Sequence, residues 1–191
     1  FGIIKEDKKF GIIKEDKKQE KIIDSFEINK ITVMEYDLPF PKIKFINNVS
    51  SFYYKGRAGR RLDKIIYYDN IPLGYIQLAS PVLNKRINEY LKTRYGKYDF
   101  LFFNDKVVEL SICVPFGIIA KYLGGKLLVF IATSKEIIEE YNKKFNTNIE
   151  VLFTTSIFGK SAMYNRVRNL KFLGLTEGYH SILTNEQIKE I

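Results

Sequence analysis

The sequence holds one cysteine and one histidine, Cys113 and His180, among 191 residues. A lone cysteine closes no disulfide within the chain, so the fold has to rest on its hydrophobic core. The two residues together are also too few for a zinc site of standard type. His180 is the one imidazole a Ser-His-Asp arrangement could use, and no Gly-x-Ser-x-Gly elbow accompanies it, so it reads as a loop or packing residue. Cys113 stands in an apolar run, where a thiol is buried and inert. Long apolar runs are missing too. The longest uninterrupted one, Leu127 to Ala132, falls far short of the roughly 20 residues that a membrane span needs. No basic-then-apolar signal segment opens the chain, so the expected location is the cytoplasm, with no membrane partner.

What is present is apolar, aromatic and basic. Hydrophobic residues make up 46% and aromatics 15%, and 31 Lys and Arg face 22 Asp and Glu for a net charge of +9. A chain of this length can bury about 70% of the surface its unfolded form exposes, enough for one α+β domain without staples. Acidic residues are scarce in one stretch only. Residues 42 to 100 carry 12 basic and 4 acidic groups, whereas residues 1 to 41 are at −1 and residues 101 to 191 at +2. In the basic stretch Lys55, Arg57, Arg60, Arg61, Arg86 and Arg94 are interleaved with tyrosines. Cations that neutralise phosphates among rings that stack on bases make a candidate nucleic-acid surface; a solvated basic face is the alternative.

The first eighteen residues repeat FGIIKEDKK twice without a change. Two copies are too few for a solenoid, so residues 1–41 read as a leader or appendage and residues 42–191 as the domain. Lys64 to Asp69 reads as a strand, with Asn70, Pro72 and Gly74 marking a turn and Tyr75 to Leu78 the return. Asp99 to Phe103 and Val107 to Val114 read as a second strand pair about Asn104-Asp105, with a basic helix over Val82 to Tyr95 between the pairs. Apolar spacing from Phe116 to Phe145 writes one or two helices, with a break at Gly124-Gly125 or at Thr133-Ser134, where Thr133 and Glu136 have capping-box spacing. A strand over Glu150 to Thr155, a helix over Ser161 to Leu170 and a strand over Phe172 to Thr176 complete a mixed sheet flanked by helices.

The densest polar cluster is Thr154 to Arg166. It offers hydroxyls at Thr154, Thr155, Ser156 and Ser161, a flexible Gly159, and cations at Lys160 and Arg166 beside Asn165. Placed where a strand gives way to a helix, such residues favour an anion or a polar substrate edge. They are not a P-loop, because Thr154 stands where the motif's first Gly belongs. Asp105 and Glu109 could pair on a hard metal, but Asp105 sits in a turn signal and no metal is expected.

The run from Gly124-Gly125-Lys126-Leu127-Leu128 through Ala132-Thr133-Ser134, Thr154-Thr155-Ser156, Gly159-Lys160-Ser161 and Tyr164-Asn165-Arg166 to Leu173-Gly174-Leu175-Thr176-Glu177-Gly178 resembles the DruA-like family. That family is named for a component of the Druantia anti-phage defence system, with relatives in phages and mobile elements. The resemblance implies a place in a larger complex, with protein partners. The order of elements from Glu109-Leu110-Ser111 to Gly174 also looks like the GNAT acyltransferase layout, particularly that of Mom-type DNA-modifying proteins. This likeness implies a GNAT-like α+β fold and small-group transfer to a base, with Tyr164 as proton donor, Ser156 and Ser161 beside it as catalytic residues, and Thr155, Gly159, Lys160, Asn165 and Arg166 binding substrate. GNAT enzymes carry R/Q-x-x-G-x-G/A after the fourth strand. Here Val114-Pro115-Phe116-Gly117-Ile118-Ile119-Ala120 stands there, so acyl-coenzyme A is a doubtful cofactor and the cofactor stays open. Ile112 and a threonine, Thr154 or Thr155, also stand where Mom-type proteins carry Arg and Asp. The competing expectation is a noncatalytic nucleic-acid-binding module of a defence or mobile-element complex.

Overall fold

The fold is described from a computed structural model, which describes residues 26–36, 41–50, 54–56, 58–117, 125–156, 161–165, 167–168 and 170–175. Among the described residues five strands form one sheet in sequence order: β1 (Ile31–Glu35), β2 (Arg61–Tyr68), β3 (Ile71–Ala79), β4 (Val107–Pro115) and β5 (Val151–Phe153). The first four are antiparallel neighbours, and β5 lies parallel to β4. Five α-helices among the described residues accompany them: α1 (Lys42–Val49), α2 (Lys85–Tyr95), α3 (Phe100–Lys106), α4 (Lys126–Ala132) and α5 (Lys135–Phe145). The architecture is α+β with a mixed sheet. Among the described residues no helix is long and apolar enough to cross a membrane.

Alternation along the strands divides the core between two faces. On one, Leu62, Ile66, Ile76, Leu78, Val108 and Leu110 pack against Leu128, Ala132, Ile137 and Tyr141 of α4 and α5. On the other, Ile65, Tyr75, Ile112 and Val114 meet Phe45 and Ile46 of α1. A third cluster joins Ile87, Leu91 and Phe103 of the α2–α3 insertion to Val107, Val151 and Phe153. The insertion also grips the approach to β5. Asn148 N donates to Asp105 Oδ1 at 2.9 Å, Glu150 N to Lys106 O at 2.9 Å, and Tyr95 Oη to Glu150 Oε2 at 3.1 Å.

The β2–β3 hairpin forms as the sequence reads, but its turn is the two residues Asp69 and Asn70, both at positive φ. That geometry matches strand twist, and Asp and Asn tolerate it. Pro72 and Gly74 lie inside β3, Pro72 at a register shift opposite Tyr67, where a missing N–H costs least. Gly74 sits under α4, where a Cβ would come within 2.4 Å of Leu128 Cδ1.

Other expectations are corrected. Asp99 to Phe103 is not a strand, and Asn104-Asp105 is not a turn: Asp99 Oδ1 accepts from Phe102 N and caps α3. Ser134 rather than Thr133 caps α5, accepting from Ile137 N. Residues 162–165 form turns instead of a helix, and 172–175 form no strand. β1, to which no strand was assigned, falls within the span read as a leader, yet it pairs with β2 from Ile31↔Tyr68 to Glu35↔Lys64.

Candidate functional site

β4 and β5 make a fork. β4 pairs with β3 along its length from Ala79↔Glu109 to Gly74↔Pro115, whereas its pairing with β5 stops at Glu109↔Phe153. Beyond Glu109 the outer edge of β4 has no strand partner among the described residues. Thr154 stands at the point of divergence, its hydroxyl donating to Leu110 O at 2.9 Å. Tyr164 packs against the core beside it, with its phenol oxygen 3.5 Å from Thr154 Oγ1. Burial, and secondarily the Cys113 side chain, raises the Tyr164 phenol above its ordinary range. At neutral pH it therefore holds its proton: it can donate one, and it is no phenolate base. Burial likewise pushes the Cys113 thiol up to about 12, leaving it inert.

The segment carrying Tyr164 is held by its own turn and by α4. Ser161 O accepts from Tyr164 N at 3.2 Å and from Asn165 N at 3.0 Å, and Ser161 Oγ accepts from Met163 N at 3.2 Å. The Met163 thioether occupies the space a Cβ on Gly125 would fill. Ser161 is thereby used as a turn former. Thr155 and Ser156 follow Thr154, half-buried, and Asn165 ends the turn. Gly159, Lys160, Arg166 and His180 lie outside the described residues.

A second polar cluster was missed from the sequence. On the α1 face, Asp63 Oδ1 accepts from Tyr75 Oη at 2.5 Å and from Gln77 Nε2 at 2.7 Å, while Lys42 Nζ donates to Asp63 Oδ2. Gln77 Oε1 accepts from Ser111 Oγ at 2.9 Å and from Tyr54 Oη at 3.3 Å. Ser111 reaches Gln77 because β4 shifts register there, between Gln77 and Leu78 of β3. Burial works to raise the Asp63 carboxyl, but hydrogen bonds from Lys42, Tyr75 and Gln77 outweigh it and hold the group below its usual value. Burial and nearby Asp63 push the Tyr36 phenol up to about 12. The observed two-residue turn sets Asp63 opposite Gln77, two residues from Tyr75; the longer turn expected from Asn70, Pro72 and Gly74 left Asp63 outside the hairpin.

The basic stretch does not form one uniform face. Lys42 is tied to Asp63, and the buried Lys64 pairs with Glu140 at 2.5 Å. Arg60 donates to Asn104 O and lies over the Tyr141 ring at 5.9 Å. Arg86 bonds Leu175 O at 2.9 Å and Glu89 at 3.2 Å. Lys55, Arg61, Lys92, Arg94 and Lys97 are exposed, with Arg94 over the Tyr95 ring. Arg57 lies outside the described residues.

At the end of β4 two backbone positions have no N–H free for a coenzyme A diphosphate, and residues 118–124 lie outside the described residues. Pro115 has no N–H to offer, and the Phe116 N–H donates to Leu73 O at 2.9 Å. Among the described residues no group of three potential metal ligands comes together. Glu109 instead accepts from Val82 N at 3.1 Å, and Asp105 pairs with Lys106 at 3.4 Å.

The family model described as Druantia protein DruA matches residues 42–186. The chain belongs to the DruA family. It is similar to the Druantia protein DruA of Escherichia coli (strain UMEA 4076-1), with 26% identity over 143 residues, covering 63% of this chain and 34% of that protein. The chain thus spans about a third of the length of that DruA relative. The family match opens at Lys42, the first residue of α1, and takes in the Asp63 cluster, the fork and Tyr164. No solved structure matches this DruA family member.

Proposed function

We propose that this DruA family member acts at nucleic acid in a phage, defence or mobile-element setting, and that its sheet is GNAT-like, transferring a small group to a DNA base at the β4–β5 fork. The observation that carries this reading is the fork: a parallel β5 that leaves β4 after Glu109↔Phe153, with a neutral phenol at the opening. Tyr164 would protonate a departing atom as charge develops on it, a contribution of ~10²–10⁴ in rate. Ser156 and Thr155, just past the fork, and Asn165 are the neighbouring groups that would orient a polar substrate. Arg61, Arg94 and the other exposed cations supply the nucleic-acid side, and protein partners of a larger assembly fit the family setting. Pro115 and Phe116 offer no free N–H to acyl-coenzyme A, and no step is routed through it.

The lack of a free N–H at Pro115 and Phe116 favours a second reading, a noncatalytic nucleic-acid-binding module. Mass spectrometry of nucleosides from cells expressing the protein separates the two. A modified base present with the native chain and reduced at least 100-fold in Tyr164→Phe supports transfer. Unmodified DNA in both samples leaves the binding module.

A further inference from the structure

β3 and β4 are antiparallel neighbours that a short turn could join, yet residues 80–106 intervene, and they carry an outward tip. α2 ends at Gly96, at positive φ with open space around its Cα. Two residues then lead to the Asp99 cap, and the next two side chains, Phe100 and Leu101, are 75% and 76% exposed. These are large apolar groups on consecutive residues at the start of a capped helix. Behind them Tyr95 meets the Phe102 ring edge-on at 5.0 Å, Tyr98 stacks on Phe103 at 6.3 Å, and Tyr98 Oη donates to Asn88 Oδ1 at 2.6 Å. In the chain just before Phe100 lie the exposed cations Lys92, Arg94 and Lys97; Asp99 caps α3, and Glu150 is held by Lys106 and Tyr95.

We infer that Phe100 and Leu101 are a wedge that enters a base step of double-stranded DNA, with Lys92, Arg94 and Lys97 on the flanking phosphates. The inference rests on the nucleic-acid reading above and assigns it a surface. Apolar side chains inserted between base pairs unstack them, and cations beside the wedge hold the backbone that must deform. A lipid surface fits less well. Membrane-seated helices present a long apolar face, whereas α3 has seven residues and turns Phe103 into the core and Phe102 against Tyr95. Opening a base step would also make a base accessible to chemistry, which stacked bases are not.

The test uses the full chain and a fluorescein-labelled duplex with 2-aminopurine at one step, titrated at several salt concentrations. The native chain should bind the duplex and brighten the 2-aminopurine. Phe100→Ala/Leu101→Ala, at exposed positions, should keep the native circular dichroism and salt slope, weaken duplex binding at least tenfold and lose the brightening. Lys92→Gln/Arg94→Gln/Lys97→Gln should lower the salt slope by about 2.7, the value for three phosphates. Duplex binding with native brightening in the wedge variant overturns the wedge while leaving the nucleic-acid reading intact. No binding by the native chain at any salt overturns both. Loss in the wedge variant of affinity for anionic phosphatidylserine vesicles, with duplex affinity unchanged, replaces DNA with a lipid surface.

Discussion

Asp63 shows how one carboxylate can set the chemistry of a sheet face. Its ordinary titration is near 3.8, and in the folded chain it titrates lower because donors from Lys42, Tyr75 and Gln77 outweigh burial. The sign follows: its stabilisation is fully present above the unfolded value and is lost as pH falls through the lower folded one. Asp63→Asn should flatten the acid limb of melting temperature against pH below about 4, and at pH 7 it should cost ~1–3 kcal/mol by unbalancing buried donors. A variant whose acid limb matches the native one would show that other carboxylates govern acid unfolding. Arg60 belongs to this scale as well. Held by Asn104 O and Tyr141, it serves the fold, unlike its exposed neighbour Arg61.

Elements were legible in the sequence where one physical signal dominated. β2, β3 and β4 announce themselves through β-branched and aromatic alternation, and α2 and α5 through apolar spacing. α3 was hidden because four consecutive apolar residues, Phe100 to Phe103, satisfy a strand template as well as a helical one. Only the Asp99 cap decides between them. β1 was masked by the repeat before it, which drew the whole leader out of the fold. Of the candidate site, the hydroxyl cluster was readable, but Tyr164 came from family likeness, and its place at the fork depends on long-range pairing that no local pattern encodes. The close contact of α4 with β3 is likewise invisible in sequence except as a glycine. Gly74→Ala would put a methyl 2.4 Å from Leu128 Cδ1 and 2.9 Å from Val114 O. Leu128 can rotate and a sheet carbonyl cannot, so the variant should lose ~1–3 kcal/mol in urea unfolding. Native stability in that variant would mean that α4 rides further from the sheet.

At the scale of the whole molecule, the charge excess is divided between structure and surface. Lys42 and Lys64 neutralise carboxylates of the fold, and Arg60 holds a backbone carbonyl, while Lys55, Arg61, Lys92, Arg94 and Lys97 are exposed among the described residues. If the exposed cations of the α2–α3 tip meet a polyanion as proposed, its steering would be directional.

The grip of the insertion on the start of β5 gives this tip mechanical reach. β5 is three residues long, and its approach hangs from Asp105, Lys106 and Tyr95. The insertion is thereby bonded to the strand at which the fork opens. If Phe100 enters DNA as proposed, those bonds are the path by which the fork at Thr154 would respond. Hydrogen exchange at the amides of Val151 to Phe153 should accordingly slow when duplex DNA binds, and exchange there unchanged at saturating DNA would mean that those bonds carry no response.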